Sequence, residues 1–237
     1  MPLQALIFDC DGVLVDTERD GHRVAFNETF RQLGWPATWS VERYGELLTT
    51  AGGKERTVRH FNETGWPMPE AERDTAIAKS HKLKTDVFMT LIESGRLPLR
   101  PGIARIIDEA IAAGLKIAVC STSNERAVQA VVDTMLGAAR TKHITVFAGD
   151  AVAKKKPDPA IYLLAIGALK LDPSRCVVIE DSNNGLRAAN AAGLKCLVTV
   201  SSYTEEENFA LAARVVPDLG DPPGPVIGLG DLAALLG

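Results

Sequence analysis

Several features are scarce in these 237 residues, and each scarcity excludes something. Cysteine occurs four times, at Cys10, Cys120, Cys176 and Cys196, never in a CxxC spacing and always in or beside a short apolar run. That pattern excludes a disulfide-stapled scaffold or a thiol-rich metal knuckle and points to small reduced side chains in a reducing compartment. Long uncharged runs are missing too. The longest, Pro159 to Leu169, is bounded by Asp158 and Lys170, far short of the roughly 18 residues that a helical membrane span needs. Excess charge of one sign is absent, with 26 basic against 30 acidic residues for a net −4, so neither nucleic acid nor an anionic membrane is the expected partner. Met1 to Phe8 lacks the basic start and small-residue cleavage site of a signal peptide, and no targeting segment is expected in this sequence.

What is present is ordinary globular composition, 46% hydrophobic and 24% charged, in a length that suits one large domain or one domain carrying an insertion. Short, nearly continuous apolar runs at Ala5 to Phe8, Ile117 to Cys120, Ile144 to Ala148, Cys176 to Ile179 and Cys196 to Val200, with a weaker one at Ala213 to Val216, have the character of parallel strands buried on both faces. Helical patterns alternate with them. Pro101-Gly102 opens a stripe from Ile103 to Ile111, Asp158-Pro159 opens Ile161 to Leu169, and Asn183-Asn184-Gly185 leads into Leu186 to Ala192. Strand and helix in alternation predict an α/β fold, a Rossmann-like parallel sheet built of right-handed βαβ units. Residues 18–95 break the rhythm: they are helix-like throughout and contain all three tryptophans, Trp35, Trp39 and Trp66. A helical module inserted as a cap is expected there, with residues 1–17 plus 96–237 forming the sheet core.

The first strand runs into Asp9-Cys10-Asp11-Gly12. Two carboxylates at i and i+2 on an extended segment face the same side, at the strand end where open α/β sheets bind ligands. Asp11-Gly12 can also be read as a plain turn signal. Other strand ends carry complementary groups: Ser121, Lys156 and the pair Glu180-Asp181. Each has a bland alternative: a helix N-cap region for Ser121, a solvated run for Lys154 to Lys156, a helix-start acid pair for Glu180-Asp181. A parallel sheet, however, brings all of these ends to one edge, where carboxylates, a hydroxyl and an ammonium suit a phosphoryl group with Mg²⁺.

Asp9-x-Asp11-Gly12-x-Leu14, Ser121, Lys156-Pro157 and Glu180-Asp181-Ser182 resemble the four motifs of the haloacid dehalogenase (HAD) superfamily. The helical insertion after the first motif is similar to that superfamily's C1-type cap. Ala25 to Phe30, Leu47-Leu48-Thr49-Thr50, Gly52-Gly53-Lys54-Glu55-Arg56 and Leu99-Arg100-Pro101-Gly102 resemble the CbbY-like subgroup, xylulose-1,5-bisphosphate phosphatases associated with Rubisco maintenance in the Calvin cycle. Cys120 to Glu125 and Phe147 to Asp150 resemble its plant and algal chloroplast forms.

The resemblance implies a phosphatase with Asp9 as nucleophile, Asp11 as acid and base, and Ser121 and Lys156 holding the transferring oxygens, Lys156 also keeping Asp9 ionised. It implies Mg²⁺ on Asp9, the Asp11 backbone carbonyl and Asp181, with Glu180 in support. Substrate contacts are implied at Glu18, His22, Tyr44, Gly53, Lys54, Arg56, Lys82, Lys84, Ser121, Thr122, Ser123 and Asn124. Of these, Lys54 and Arg56, in a glycine-rich loop, are the leading candidates for a second phosphate; a helix N-terminus with surface charge is the alternative reading of the pair. Lys82 stands where arginine is expected. The implied partner is a small sugar bisphosphate, in the chloroplast stroma for a plant or alga and in the cytoplasm otherwise; a cap over the site and the modest size predict a monomer. A β-phosphoglucomutase-like phosphomutase, a phosphatase for another small sugar phosphate, a haloacid dehalogenase and an inactive scaffold remain the alternatives.

Overall fold

The structure is a computed structural model and describes residues 2–50 and 52–237, with Asp150 described through its backbone alone. Six strands, β1 (Ala5–Phe8), β2 (Lys116–Cys120), β3 (Ile144–Phe147), β4 (Cys176–Glu180), β5 (Lys195–Thr199) and β6 (Arg214–Val216), form one sheet in the order β3-β2-β1-β4-β5-β6. Every neighbouring pair is parallel. The inner strands β1 and β4 are buried along their whole length, as expected for parallel strands covered on both faces, whereas the edge strands β3 and β6 are partly to largely exposed, so the expected burial on both faces does not hold there. β2 and β5 each begin one residue before the apolar run, at an exposed lysine, because the ladder is a backbone property and can start before burial does.

Chain order reverses direction at β1, whose neighbours are β2 on one side and β4 on the other. In open parallel sheets such a reversal leaves a crevice beyond the carboxyl ends of the strands flanking it. Here those ends are occupied by Asp9 and by Glu180-Asp181.

The chain divides into two compact units, Met1–Asp16 with Leu97–Gly237, and Thr17–Arg96. The second is helical: α1 (Arg23–Leu33), α2 (Val41–Leu48), α3 (Gly53–Thr64) and α4 (Arg73–Glu93), entered through a π-type turn at Thr17–His22. Its core is aromatic. Trp39 is fully buried, with ring centroids 4.7 Å from Phe26 and 4.9 Å from Phe30, and Asn27 pins the Trp39 backbone at both its N–H (2.7 Å) and its carbonyl (2.9 Å). Offset and edge-on ring packing of this kind adds to the burial term.

In the sheet unit, α5 (Ile103–Ala112), α6 (Glu125–Val131), α7 (Ala138–Thr141), α8 (Ala160–Leu169), α9 (Asn183–Ala191) and α10 (Leu229–Ala234) complete the fold. Ile161, Tyr162 and Ala165 of α8 and Leu186, Ala188 and Ala189 of α9 pack in one cluster with Ile7, Ala118, Cys120 and Val178 of the sheet. All four cysteines are buried and unbridged. Among the described residues no helix is long and apolar enough to cross a membrane.

Candidate active site

β1 delivers Asp9 in register, since the Asp9 N–H donates to the Ile179 carbonyl (2.9 Å) and prolongs the pairing with β4 by one residue. The chain then turns at Gly12, with φ +80°. A Cβ at that position would stand 1.9 Å from Asp181 Oδ2, so glycine is required for the backbone conformation and for the room. Lys156 reaches the same place along the loop after β3. Its Nζ donates to Asp9 Oδ1 (2.5 Å), Glu180 Oε1 (2.7 Å) and the Cys120 carbonyl (2.9 Å). An ammonium has three hydrogens, and all three are directed at protein acceptors. Lys156 thus holds Asp9 through a direct ion pair, although burial still raises that carboxyl above its ordinary value. Lys154 and Lys155 are exposed, as a solvated run should be.

Glu180 lies at the floor of the cluster, its side chain 1% exposed. Oε1 also accepts the Tyr162 hydroxyl, and Oε2 accepts the Asp181 N–H (3.2 Å). A Cβ at Gly185 would fall within 2.0 Å of both Glu180 oxygens, so the glycine opening α9 makes the space for this carboxylate. Asp181 is bonded by the Ser201 hydroxyl.

Burial pushes Asp9 up to about 7 from its ordinary 3.8; Lys156 pulls against this, while Glu180 and Asp11 add to it. Burial, Glu180 and Asp9 likewise hold Asp181 well above the usual carboxylate range. For Lys156 burial works against the charge, but Asp9 and Glu180 outweigh it and hold the ammonium above its ordinary value. Oxygens of Asp9, Glu180 and Asp181 lie within 4.8 Å of one another. Three buried carboxylates around one ammonium leave negative charge in excess, and hard oxygen donors at this spacing fit a Mg²⁺-sized cation.

Asp11 takes a hydrogen bond from the Ser123 hydroxyl. Ser121 is buried after β2; its N–H donates to the Phe147 carbonyl (3.0 Å) and its Oγ accepts from Ser123 N–H (3.1 Å). The cap of α6 is Asn124, whose Oδ1 accepts from Ala127 N–H (3.3 Å), so the capping role considered for Ser121 belongs three residues later. Thr122 lies between them, partly exposed. Tyr162, Ser201 and Arg100 contribute to the site without a sequence signal that marks them as functional. The Arg100 guanidinium joins the carbonyls of Gly12, Thr199 (3.0 Å), Val200 (2.6 Å) and Pro217 (2.7 Å), tying the Asp9–Asp11 turn to the ends of β5 and β6.

In the helical unit, Lys84 Nζ lies 2.7 Å from His22 Nδ1 and about 5 Å from the centroids of Phe26 (4.9 Å) and Phe88 (5.1 Å). Burial and the charges of Lys84 and Arg56 hold His22 well below its ordinary value, so neutral His22 accepts from Lys84. Arg56 donates to the Thr50 carbonyl (3.0 Å) and the Tyr44 hydroxyl (3.2 Å) and stands 3.8 Å from Glu18, which accepts the Tyr44 hydroxyl. Glu18, His22, Tyr44, Arg56 and Lys84 thus form one polar group with a surplus of positive charge.

One expectation needs correction here. Gly53, Lys54 and Arg56 are not in a loop but form the first turn of α3, the alternative reading, with Lys54 exposed while Arg56 turns inward. Lys82 is exposed and Lys84 buried, because two residues along a helix is a rotation of about 200°.

A parallel sheet with a buried acid–lysine cluster at its reversal point is the apparatus of an enzyme that works on phosphoryl groups. Residues 3–193 match the family model for haloacid dehalogenase-like hydrolases, and the chain belongs to that family and is a phosphatase. It is 57% identical over 223 residues to the CBBY-like protein of Arabidopsis thaliana, covering 92% of this chain and 70% of that one. It is 30% identical to the phosphorylated carbohydrates phosphatase of Thermotoga maritima, over 90% of this chain and 93% of that one. Among solved structures it resembles an Asp-to-Asn variant of CbbY from Rhodobacter sphaeroides in complex with xylulose-1,5-bisphosphate, with a TM-score of 0.74, 42% identity, and coverage of 97% of this chain and 99% of that one.

Proposed function

We propose that the chain is a Mg²⁺-dependent sugar-phosphate phosphatase that works through an aspartyl phosphate on Asp9 and takes xylulose-1,5-bisphosphate as its substrate, releasing xylulose 5-phosphate. The observation that carries this reading is the buried carboxylate of Asp9, oriented by Lys156 beside Asp181 at the sheet's reversal point. The bisphosphate in the similar CbbY complex supports the choice of substrate.

In this mechanism the Asp9 carboxylate attacks phosphorus in line, and the bond to the sugar oxygen breaks as the acyl phosphate forms. Asp11 gives its proton to the departing oxygen. It then takes one from the water that attacks the acyl phosphate, so that Asp9 and inorganic phosphate are regenerated. Ser123 holds the Asp11 carboxylate for both transfers. Ser121 accepts from Ser123 N–H, which leaves its own hydrogen for a phosphoryl oxygen. Asp9, Asp181 and the Asp11 carbonyl would hold Mg²⁺, with Glu180 behind them. When bound, the ion supplies the charge that offsets repulsion between the nucleophile and a phosphate dianion. Substrate choice belongs to the helical unit, where buried Lys84 and inward-turned Arg56 suit a second phosphate and Glu18, His22 and Tyr44 suit sugar hydroxyls.

The test is phosphate release over a panel of sugar mono- and bisphosphates, with Mg²⁺ and with chelator. Chelation should abolish release, and xylulose-1,5-bisphosphate should give the highest kcat/KM. Lys84→Met should lower kcat/KM at least about tenfold on bisphosphates and little on a monophosphate, the loss expected for one charge-assisted contact. Equal rates on every monophosphate would overturn the substrate assignment, and sugar monophosphates interconverting without phosphate release would indicate a mutase.

A further inference from the structure

We infer that Tyr162 is a positioning residue for the phosphatase reaction: its hydroxyl satisfies Glu180 so that Lys156 stays on Asp9. The inference rests on Asp9 being the nucleophile. Lys156 divides its three hydrogens among Asp9, Glu180 and the Cys120 carbonyl, so its two carboxylate partners compete for one ammonium. Glu180 is the stronger competitor by location. Its side chain is sealed from solvent, and a buried carboxylate must draw its hydrogen bonds from protein donors. It cannot swing away, because the Gly185 backbone lies so close that a single Cβ would overlap both oxygens.

Its donors are Lys156 and Tyr162 on Oε1 and the Asp181 N–H on Oε2. Removing the tyrosine hydroxyl leaves Oε1 with Lys156 alone, and the ammonium is drawn toward Glu180 at the expense of Asp9. The hydroxyl is held by a rigid support, since Tyr162 is fully buried in the first turn of α8 and packs against the sheet. The ring has a separate contact, its centroid 5.0 Å from Lys156 Nζ, which phenylalanine would preserve.

Tyr162→Phe therefore deletes one donor and keeps the packing. The expected result is a fall in kcat of roughly tenfold, the size of one hydrogen bond to a charged group, with KM changed less than about twofold. A crystal structure of the variant should show Nζ shifted toward Glu180 and beyond hydrogen-bond distance of Asp9 Oδ1. In a Glu180→Gln background, where the competing charge is gone, adding Tyr162→Phe should cost far less than in the parent. Parent-like kcat, an unchanged Lys156–Asp9 distance, a loss confined to KM, or equal losses in both backgrounds would each overturn the inference. A Tyr162→Phe chain that does not fold would overturn it as well, by making the hydroxyl structural. Asp9→Asn serves as the control. If it still releases phosphate, the nucleophile assignment fails; if it is inactive while Tyr162→Phe is unaffected, only the role of Tyr162 fails.

Discussion

Asp9→Asn should stabilise the metal-free protein while abolishing turnover. Burial raises Asp9 from 3.8 to about 7, so between these values the folded chain holds a proton that the unfolded chain has released. Stability therefore falls as pH rises through this window, and the cost is complete above it. About three pKa units at ~1.4 kcal/mol each come to ~4 kcal/mol. Asparagine has nearly the shape of the protonated acid and carries no charge, so it escapes this cost at every pH. In chelator at pH 8 the variant should exceed the parent by an amount approaching ~4 kcal/mol, and the gap should close toward pH 4. Mg²⁺ should have the complementary effect, stabilising the parent by ~3 kcal/mol at a hundredfold excess over its Kd and the variant much less. Denaturant unfolding at several pH values, with chelator and with Mg²⁺, measures all of these quantities. The reasoning is refuted if the variant is no more stable than the parent at pH 8, or if the gap does not narrow on acidification.

Gly12→Ala should cost about 2–4 kcal/mol of stability and most of the activity, because the left-handed backbone and the overlap with Asp181 must both be relieved; parent-like unfolding and turnover would contradict the account of this turn. His22, His60 and His81 of the helical unit are all held below their ordinary 6.5, by burial first and then by cationic neighbours. The unfolded chain therefore binds more protons below about pH 6.5, and stability should drop on acidification by up to ~1.4 kcal/mol per pH unit for each histidine. Tryptophan fluorescence reports this directly, since all three tryptophans lie in that unit, and a tryptophan-detected midpoint that stays constant from pH 7.5 to 5 would count against it.

The inner strands were legible because strands buried on both faces must be apolar throughout, and Ala5–Phe8 in the sequence matches β1 to the residue; the edge strands β3 and β6 are apolar in sequence although partly to largely exposed. The acid pair, Lys156 and Glu180-Asp181 were legible because strand ends in a parallel sheet share an edge, so residues 147 positions apart could be placed together without coordinates. Tyr162 was hidden by its setting. In an uncharged helical run its only sequence signal is apolar, and its hydroxyl matters through Glu180, 18 positions later. Arg100 lies in the Leu99-Arg100-Pro101-Gly102 run, but its acceptors lie up to 117 positions away and are mostly backbone carbonyls, which no residue pattern reveals. Loop and helix N-terminus both fit Lys54 and Arg56 in the sequence, because a glycine pair signals a break in regular structure without saying on which side the helix resumes; the structure has the helix start at Gly53.

The central position of β1 has a consequence for inactivation. Because β2 and β4 pair with it on both sides, fraying at the sheet margins, β3 or β6, leaves the strand bearing the nucleophile intact. Backbone amides of Leu6 to Phe8 should then be among the last to exchange with deuterated solvent, opening only when the whole sheet opens. An enzyme arranged in this way loses its reactive carboxylate at the moment it loses its fold, and heating should not populate a folded but chemically disarmed form on the way.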